Sequence, residues 1–324
     1  MDETIKCAYF ALHFEVKSAM NQKLISWIII FALVLTWGSS FILIKRGLVY
    51  FDPVEVGALR VFITFISLLP FAIRALPKIS QRDLIWLGTS GFIGSLLPAF
   101  LFAAAQTGID SATAGLLNSL TPLFTLTIGY LLFGLKAGKW NIIGVFVGLI
   151  GAAGLINSSG GNAFSFNVGY AALVILATVF YAINVNLIKA KLKHISSLNI
   201  TSLTFFIAGI FATVILFFFT EVPHKLATDP KTWQGLMYLS ILAVIGTAGA
   251  MIAFNYLIKI SSPIFASSVT YLIPLIAMMW GFGDGEYFSK WHLLWTALIV
   301  GGVVLVNKKR SGKEAKKTKP AESL

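Results

Sequence analysis

Hydrophobic residues fill this chain in long blocks instead of alternating with polar ones. A helix that crosses a bilayer needs about 20 mostly apolar residues, and ten blocks near that length lie between charges, glycines and prolines. Strands of outer-membrane barrels alternate every second residue, so these solid blocks predict membrane-spanning helices and an all-helical fold. The ten predicted segments, numbered 1 to 10, are Leu24–Ile44, Val56–Ile73, Leu84–Ala105, Ala112–Gly134, Trp140–Ile156, Val168–Ile188, Ile195–Phe219, Trp233–Ile258, Pro263–Gly283 and Trp291–Val306.

The segments contain an internal repeat. LTPLFTLTIG (Leu120–Gly129) in segment 4 and LIPLIAMMWG (Leu272–Gly281) in segment 9 share leucine, proline, leucine and glycine at an offset of 152 residues. FILIKRGL (Phe41–Leu48) and VNLIKAKL (Val185–Leu192) correspond at an offset of 144. Because each copy holds five segments, an odd number, the second copy must be inserted upside down. The sequence therefore predicts two inverted five-helix repeats, an architecture of many secondary transporters.

Composition and charge agree with a membrane location. The 324 residues are 57% hydrophobic and 12% charged, with a mean hydropathy of +0.84, which lies outside the balance of soluble domains. Lysine and arginine prefer the cytoplasmic side, and nineteen of the 25 basic residues fall there if the N-terminus is cytoplasmic. We expect a multi-pass protein of the cell membrane with both termini in the cytoplasm. The net charge is +12, but the basic residues are spread over several loops. We therefore expect them to interact with the lipid bilayer and not with nucleic acid. Whether the protein forms a homodimer is left open.

Five parts of the chain follow from this pattern. Residues 1–23 form a charged cytoplasmic segment, or a gene-model extension if translation starts at Met20. Residues 24–157 and 168–306 form the two repeats, 158–167 connects them, and 307–324 form a basic cytoplasmic tail. The single cysteine, Cys7, excludes an intramolecular disulfide.

Aromatic and polar residues recur at matching positions of segments 1 and 6. Trp37 and Ser40 correspond to Tyr181 and Asn184 at the offset of 144. The spacing i, i+3 puts each ring and its polar neighbour on one helix face, which suits a wall that binds a small amphipathic molecule. The alternative is that these residues pack helices together or sit at the bilayer interfaces.

Segments 4 and 9 each carry a polar stripe and a proline. Polar groups that face lipid are unfavourable, so we expect both stripes to face a substrate pathway between the halves. Proline removes a helical hydrogen bond and kinks the helix. The stripes are Asn118, Thr121 and Thr125, and Ser267, Tyr271 and Pro274; the expected kinks are Pro122 and Pro274, and Asn255 and Gln106 are weaker candidates of the same kind.

Charged groups inside the segments are few. Arg60 is the only charge well within a segment, and an intramembrane charge is by default a hypothesis of function. Its alternatives are to reach the interface or to pair with Glu55. If Arg60 faces the cavity, an anionic substrate is favoured. No carboxylate lies at mid-membrane, so a central proton relay is not expected, while facilitated diffusion, exchange, or coupling through Asp110 or Glu286 stay open.

Enzyme activity is not expected. GFGD (Gly281–Asp284) matches a fragment of intramembrane aspartyl proteases, but their chemistry needs two carboxylates that share a proton, and no second aspartate lies within a segment. All four histidines lie at segment ends or outside them, so a serine nucleophile would lack a base and a catalytic metal would lack ligands. No phosphate-binding G-x-x-x-x-G-K-[ST] loop occurs. No cofactor and no metal are predicted.

Several motifs resemble one family of transporters. TWGSSFILIK (Thr36–Lys45), ALRVFITF (Ala58–Phe65), SATAGLLNSLTPLFT (Ser111–Thr125) and the region Asp284–Val306 are similar to the EamA-type permeases of the drug/metabolite transporter superfamily. The resemblance implies two inverted five-helix repeats and a central cavity lined mainly by segments 1, 3, 4, 6, 8 and 9, with segments 5 and 10 at the periphery. It also implies export of amino acids, other metabolites or toxic organic compounds. The acidic residue usual after segment 9 is present as Glu286, whereas none follows segment 4.

The predicted function is secondary transport of a small metabolite, an amino acid or a related organic compound, by alternating access and in the direction of export. The alternative is facilitative uptake or exchange of a sugar phosphate or a nucleotide-sugar-like solute. An intramembrane aspartyl protease is the remote alternative from another class.

Overall fold

The computed structural model of the chain describes residues 22–109, 111–135, 138–157, 168–283 and 291–306. Within these ranges every element is a helix. The predicted N-terminal segment, the connector and the basic tail lie outside the described residues, as do Asp110, Asp284 and Glu286. We call residues 22–157 the N-terminal half and 168–306 the C-terminal half.

Six helices in the described ranges are long and apolar enough to cross a membrane, and the other four predicted segments coincide with shorter or interrupted apolar helices. Clusters of buried aliphatic and aromatic side chains join the two halves. In chain order the helices are α1 (Gln22–Gly47), α2 (Pro53–Lys78), α3 (Gln81–Ala105), α4 (Ser111–Asn118 and Thr121–Phe133), α5 (Lys139–Asn157), α6 (Gly169–Lys191), α7 (Ser197–Phe218), α8 (Thr232–Ile260), α9 (Pro263–Ser267 and Ile273–Gly283) and α10 (Trp291–Val306).

Irregular turns occur at matching places in the two halves. A π-helical turn spans Phe92–Leu96 inside α3, and a second spans Val244–Gly249 inside α8, so their first residues are 152 positions apart. A π turn leaves helical carbonyls without their usual partners, and it occurs frequently at functional sites. α4 is broken at residues 119–120 and α9 by the 3-10 turn Ser268–Tyr271, so the two breaks also correspond.

The two proline-containing phrases of the repeat lie at these breaks. Pro122 and Pro274 each stand in the first turn of the second piece of their helix, where a missing N–H costs nothing. The carbonyl four residues before each proline then needs another donor. The Thr121 hydroxyl donates to the Asn118 carbonyl at 2.6 Å, and the Ser119 hydroxyl of α4 donates to the Thr270 carbonyl of α9 at 3.1 Å. The helices are therefore interrupted before the prolines, and a hydrogen bond joins the two breaks.

Helices α5 and α10 pack with their backbones in contact. Gly144 and Gly148 form a G-x-x-x-G pattern on α5, which allows close approach of membrane helices. A Cβ placed on Gly302 of α10 would lie 2.6 Å from the Gly148 nitrogen and 2.8 Å from the Gly144 carbonyl oxygen. Small residues at these positions therefore set the distance between the two helices.

A short helix, Val222–Thr228, closes the connection between α7 and α8. Its Lys225 ammonium lies 2.6 Å from a carboxylate oxygen of Glu55, which is 3% exposed, and 3.1 Å from one of Asp52. Burial lowers the pKa of Lys225, but hydrogen bonds to Glu55 and Asp52 outweigh it and raise the pKa overall. Glu55 is thus the partner of Lys225 and not of Arg60.

Candidate functional site

A cavity lies between the two halves, and together with the open solvent at its mouth it encloses about 920 Å³ of empty space. Its lining comes from α1, α2, α3 and α4 of the N-terminal half and from α6, α7, α8 and α9 of the C-terminal half. α5 and α10 contribute no lining residue in the described part of the chain.

The lining is built from equivalent positions of the two copies. Eighteen of the 22 lining residues form nine pairs whose members are separated by 144 or 152 residues, the same two offsets that relate the sequence motifs. The pairs are Trp37/Tyr181, Ser40/Asn184, Phe41/Val185 and Val61/Phe205 at 144, and Ser95/Thr247, Ala99/Met251, Phe102/Phe254, Asn118/Thr270 and Thr121/Ile273 at 152. The cavity therefore lies where the repeats meet.

The structure brings together most of the residues singled out in the sequence, but not all. The cavity is lined by Trp37, Ser40, Arg60, Asn118, Thr121, Tyr181, Asn184 and Ser267. Other candidates lie elsewhere: Asn255, Tyr271, Thr125, Gln106, Pro122 and Pro274 are not among the lining residues.

Asn255 and Tyr271 hydrogen-bond to neighbouring helices in this structure. The Asn255 amide donates to the Thr201 hydroxyl of α7 at 2.9 Å, and the Tyr271 hydroxyl donates to the Val145 carbonyl of α5 at 3.2 Å. Both side chains are 1% exposed or less. The spacing of polar residues along a helix cannot tell a residue that lines the cavity from one that packs against a neighbouring helix, because both kinds lie on the same inward-facing stripe.

Several lining residues were missed in the sequence. Ser95, Thr247, Phe102 and Phe254 belong to α3 and α8, where the π turns rotate the helix face relative to a regular 3.6-residue period. The signal that could have found them is the repeat itself, because serine corresponds to threonine and phenylalanine to phenylalanine at the offset of 152.

Arg60 forms the charged part of the wall. Its Nε donates to the hydroxyl of Thr247, a residue of the π turn of α8, at 3.0 Å. That hydroxyl in turn donates to the Leu242 carbonyl, just before the π turn, at 2.9 Å. No other described lining residue is charged. Within the described ranges Arg60 pairs with no carboxylate, since the ion pairs there involve Asp83, Asp52 and Glu55.

Two aromatic residues and an amide contribute to the lining of the site. The Trp37 indole N–H donates to the Gly246 carbonyl at 3.0 Å, and the Tyr181 ring stacks on Phe102 with centroids 5.9 Å apart. Asn184 is 4% exposed, and its amide oxygen is buried without a hydrogen-bond partner among the described residues. The Asn184 amide lies against Gly94, where an added Cβ would overlap with its nitrogen.

The chemistry of this lining is that of binding. It offers aromatic faces, hydroxyls, amides and one cation, but no carboxylate and no histidine among the described lining residues. No group of three or more potential metal ligands occurs in the described part of the chain.

The sequence profile of the EamA-like transporter family matches this chain twice, at residues 24–157 and at residues 169–308. The chain belongs to this family. The two matches cover the same two halves that line the cavity. This EamA protein is accordingly a transporter and not an enzyme, and its long apolar helices make it a multi-pass protein of the cell membrane.

Known EamA relatives carry names of transporters. The chain is 29% identical over 283 residues to an uncharacterized inner membrane transporter of Escherichia coli strain K12, YedA, a match that spans 86% of this chain and 89% of the relative. It is 28% identical over 220 residues to a probable amino-acid metabolite efflux pump of the same organism, spanning 65% and 72%. It is 25% identical over 293 residues to a probable terminal-alkyne amino-acid exporter of Streptantibioticus cattleyicolor, spanning 89% and 95%.

A solved structure shares the fold. It is described only as "Crystal structure of protein", and it superposes with a TM-score of 0.66 at 17% identity, covering 86% of this EamA chain and 95% of its own. At this identity the likeness concerns the fold alone.

Proposed function

We propose that the protein is a ten-helix carrier built from two inverted five-helix repeats, 24–157 and 168–306, and that it exports a small metabolite related to amino acids by alternating access. Both termini lie in the cytoplasm in this proposal. The observation that carries it is the pairing of cavity residues at the offsets of 144 and 152. A site formed by equivalent positions of two oppositely inserted copies can open to each side of the membrane by rocking one copy against the other.

The helix ends differ between the halves in a way that supports two states. The Lys189 ammonium of α6 donates to the carbonyls of Ile258 at 2.7 Å, Lys259 at 3.0 Å and Ser261, and thereby caps the end of α8. Its counterpart at the offset of 144, Lys45 of α1, is exposed and makes no hydrogen bond or ion pair within the described residues. A lysine of α6 thus ties the end of α8, while the equivalent contact between α1 and α3 is not made among the described residues.

In the opposite state the two halves exchange these arrangements. The carbonyls that correspond to the Lys189 acceptors at the offset of 152 belong to Gln106, Thr107 and Ile109 at the end of α3. In the proposal Lys45 caps that end when Lys189 is released.

Replacing Lys189 by methionine is expected to open the cavity on the side of the membrane where α6 ends. Loss of charge-assisted hydrogen bonds shifts the balance between the states by roughly tenfold. The measurement is labelling of a cysteine introduced by Val185→Cys, in a Cys7→Ser background, with a membrane-impermeant maleimide added to each side of vesicles. Lys193→Met, at an exposed lysine of the same helix end, is the matched control. Equal labelling of the Lys189 and Lys193 variants would contradict the exchange of states.

The direction and the substrate class rest on relatives and on chemistry. Two relatives are named for export of amino-acid compounds, and the aromatic and polar lining suits molecules of that kind. An uncoupled carrier moves its solute down the concentration gradient of that solute, whichever side of the membrane is higher. Export therefore describes the direction of net flux in the cell and not a property of the cavity.

Flux through purified full-length protein in liposomes tests the proposal. Labelled amino acids, their N-acyl and hydroxy analogues, a sugar phosphate and organic cations are compared with and without a pH gradient. We expect flux of amino-acid-related solutes, reduced about tenfold or more by Tyr181→Ala or Asn118→Ala because each removes a wall contact of the solute. Tyr130→Ala, at a tyrosine of α4 that is 66% exposed, is expected to leave flux unchanged. Flux of the sugar phosphate alone would replace the proposal by its alternative, and no flux of any solute would end it.

A further inference from the structure

We propose that Arg60, Tyr181 and Asn184 form a subsite for a net-anionic solute, namely a carboxylate that carries a neutral hydrogen-bond donor on the adjacent carbon, such as a 2-hydroxy or N-acylamino acid. The inference rests on the proposed transport function and narrows its substrate class. It is carried by two lining residues of one cavity, which among the described residues are a cation without a carboxylate partner and an amide oxygen without a hydrogen-bond donor.

Charge selects the anion. The guanidinium of Arg60 uses Nε for the Thr247 hydroxyl. Its two terminal amino groups, which can bind a carboxylate in bidentate fashion, make no hydrogen bond within the described residues. A desolvated cation is stabilised by an opposite charge close to it. Since no described lining residue carries a carboxylate, a monoanion neutralises the site, whereas a zwitterion adds an ammonium that meets only neutral oxygens.

The amide selects the neighbouring donor. Asn184 is buried, lines the cavity and has no hydrogen-bond partner for its amide oxygen in the described part of the chain. A buried polar atom that stays unpaired is unfavourable, and such atoms in native proteins call for a specific explanation. The oxygen is buried in this structure, and a solute that turns the amide toward the cavity supplies the missing donor from a hydroxyl or an amide N–H. Tyr181 lies one helical turn before Asn184 on α6, and it lines the same cavity as Arg60.

Packing holds the amide at this place. The backbone of α3 has no Cβ at Gly94, so Asn184 lies against the π turn of α3. Aromatic rings of Trp37, Phe102 and Phe254 line the rest of the cavity. They fit an apolar or aromatic body attached to the charged head.

Four probes that share a phenyl ring but differ in their charged or polar group separate the effects of charge and of the hydrogen-bond donor. They are phenyllactate, an anion with a hydroxyl donor; 3-phenylpropanoate, an anion without one; phenylalanine, a zwitterion; and phenethylamine, a cation. Uptake of each labelled compound is measured in liposomes that contain the full chain. We expect phenyllactate to have the highest kcat/KM, roughly tenfold above phenylalanine and 3-phenylpropanoate, with phenethylamine lowest.

Variants assign the preference to residues. Arg60→Gln is expected to remove the advantage of both anions over phenethylamine, while Arg60→Lys keeps part of it. Arg74→Gln removes an equal charge from an exposed position near the end of α2 and is expected to leave the ranking unchanged. Asn184→Leu is expected to make phenyllactate and 3-phenylpropanoate equivalent.

Asn184→Asp is expected to reverse the ranking. The new carboxylate gives the ammonium of phenylalanine a partner and repels the second charge of an anion. Phenylalanine should then exceed phenyllactate, a gain that simple damage to the fold cannot produce.

The outcomes separate this inference from the transport proposal. Equal uptake of all four probes, or a preference for phenethylamine, would overturn the anionic subsite while transport stands. If no probe crosses the bilayer, thermal stabilisation of the detergent-solubilised protein decides. Stabilisation by phenyllactate that Arg60→Gln abolishes keeps the subsite and rejects transport, and no stabilisation by any probe rejects the subsite.

Discussion

Replacing Gly94 by valine is expected to reduce transport by about tenfold or more, because the new side chain displaces the Asn184 amide from the cavity wall. A Cβ at this position would overlap with the amide nitrogen of Asn184 and lie 2.5 Å from its Cγ. These atoms are at the end of a side chain that can rotate into the cavity, so the fold tolerates the change while the site does not. The measurement is the flux of the best solute of the wild-type protein in liposomes.

A glycine on the same helix provides the control. Gly88→Val makes the same change of helix propensity in α3, but the nearest atoms to its Cβ belong to Ile207 at 3.7 Å, an ordinary contact. Its flux should match the wild type. If Gly94→Val and Gly88→Val transport equally well, the position of the Asn184 amide has no part in solute binding.

Replacing Gly302 by valine is expected to destabilise the folded protein by about 3 kcal/mol, near the upper end for overpacked sites. The Cβ would meet the Gly148 nitrogen at 2.6 Å and the Gly144 carbonyl oxygen at 2.8 Å. Backbone atoms cannot rotate away, so α5 and α10 must separate and lose contact along their length. Thermal unfolding in detergent, followed by tryptophan fluorescence, should show a midpoint lower by roughly 5–10 °C.

The adjacent glycine makes this test specific. A Cβ added to Gly301 would have no described atom within 4 Å, so Gly301→Val carries the same cost of β-branching without the clash. Its midpoint should lie within about 2 °C of the wild type. A similar loss in both variants would mean that backbone flexibility and not helix contact explains the effect.

The repeat was the most informative feature of the sequence. Two proline phrases and two LIK motifs gave the offsets of 152 and 144, and the same offsets relate nine pairs of lining residues. A repeat is readable from sequence because equivalent positions of the two copies carry similar residues at a constant offset. The family resemblance noted from Thr36–Lys45 and the other motifs is confirmed by the family match over both halves.

Interrupted helices were the least readable feature. The phrases around Pro122 and Pro274 predicted kinks, and the structure interrupts the two α-helices with short turns at residues 119–120 and 268–271, which the Ser119–Thr270 hydrogen bond joins. The π turns in α3 and α8 likewise cannot be recognised from the hydropathy pattern, because they change which residues face inward without changing the composition of the helix.

The sequence by itself determined the membrane location, the helical class and the likeness of the two halves, because hydrophobic length and repetition are properties of residue order. It also marked Arg60 as exceptional, since a charge within an apolar segment needs no coordinates to be seen. Only the tertiary structure decided that Arg60 lines the cavity while Glu55 pairs with Lys225, and that Asn184 lines the cavity while Asn255 packs on Thr201. Those outcomes depend on how helices distant in sequence cross, and no pattern along one helix contains the position of its neighbour.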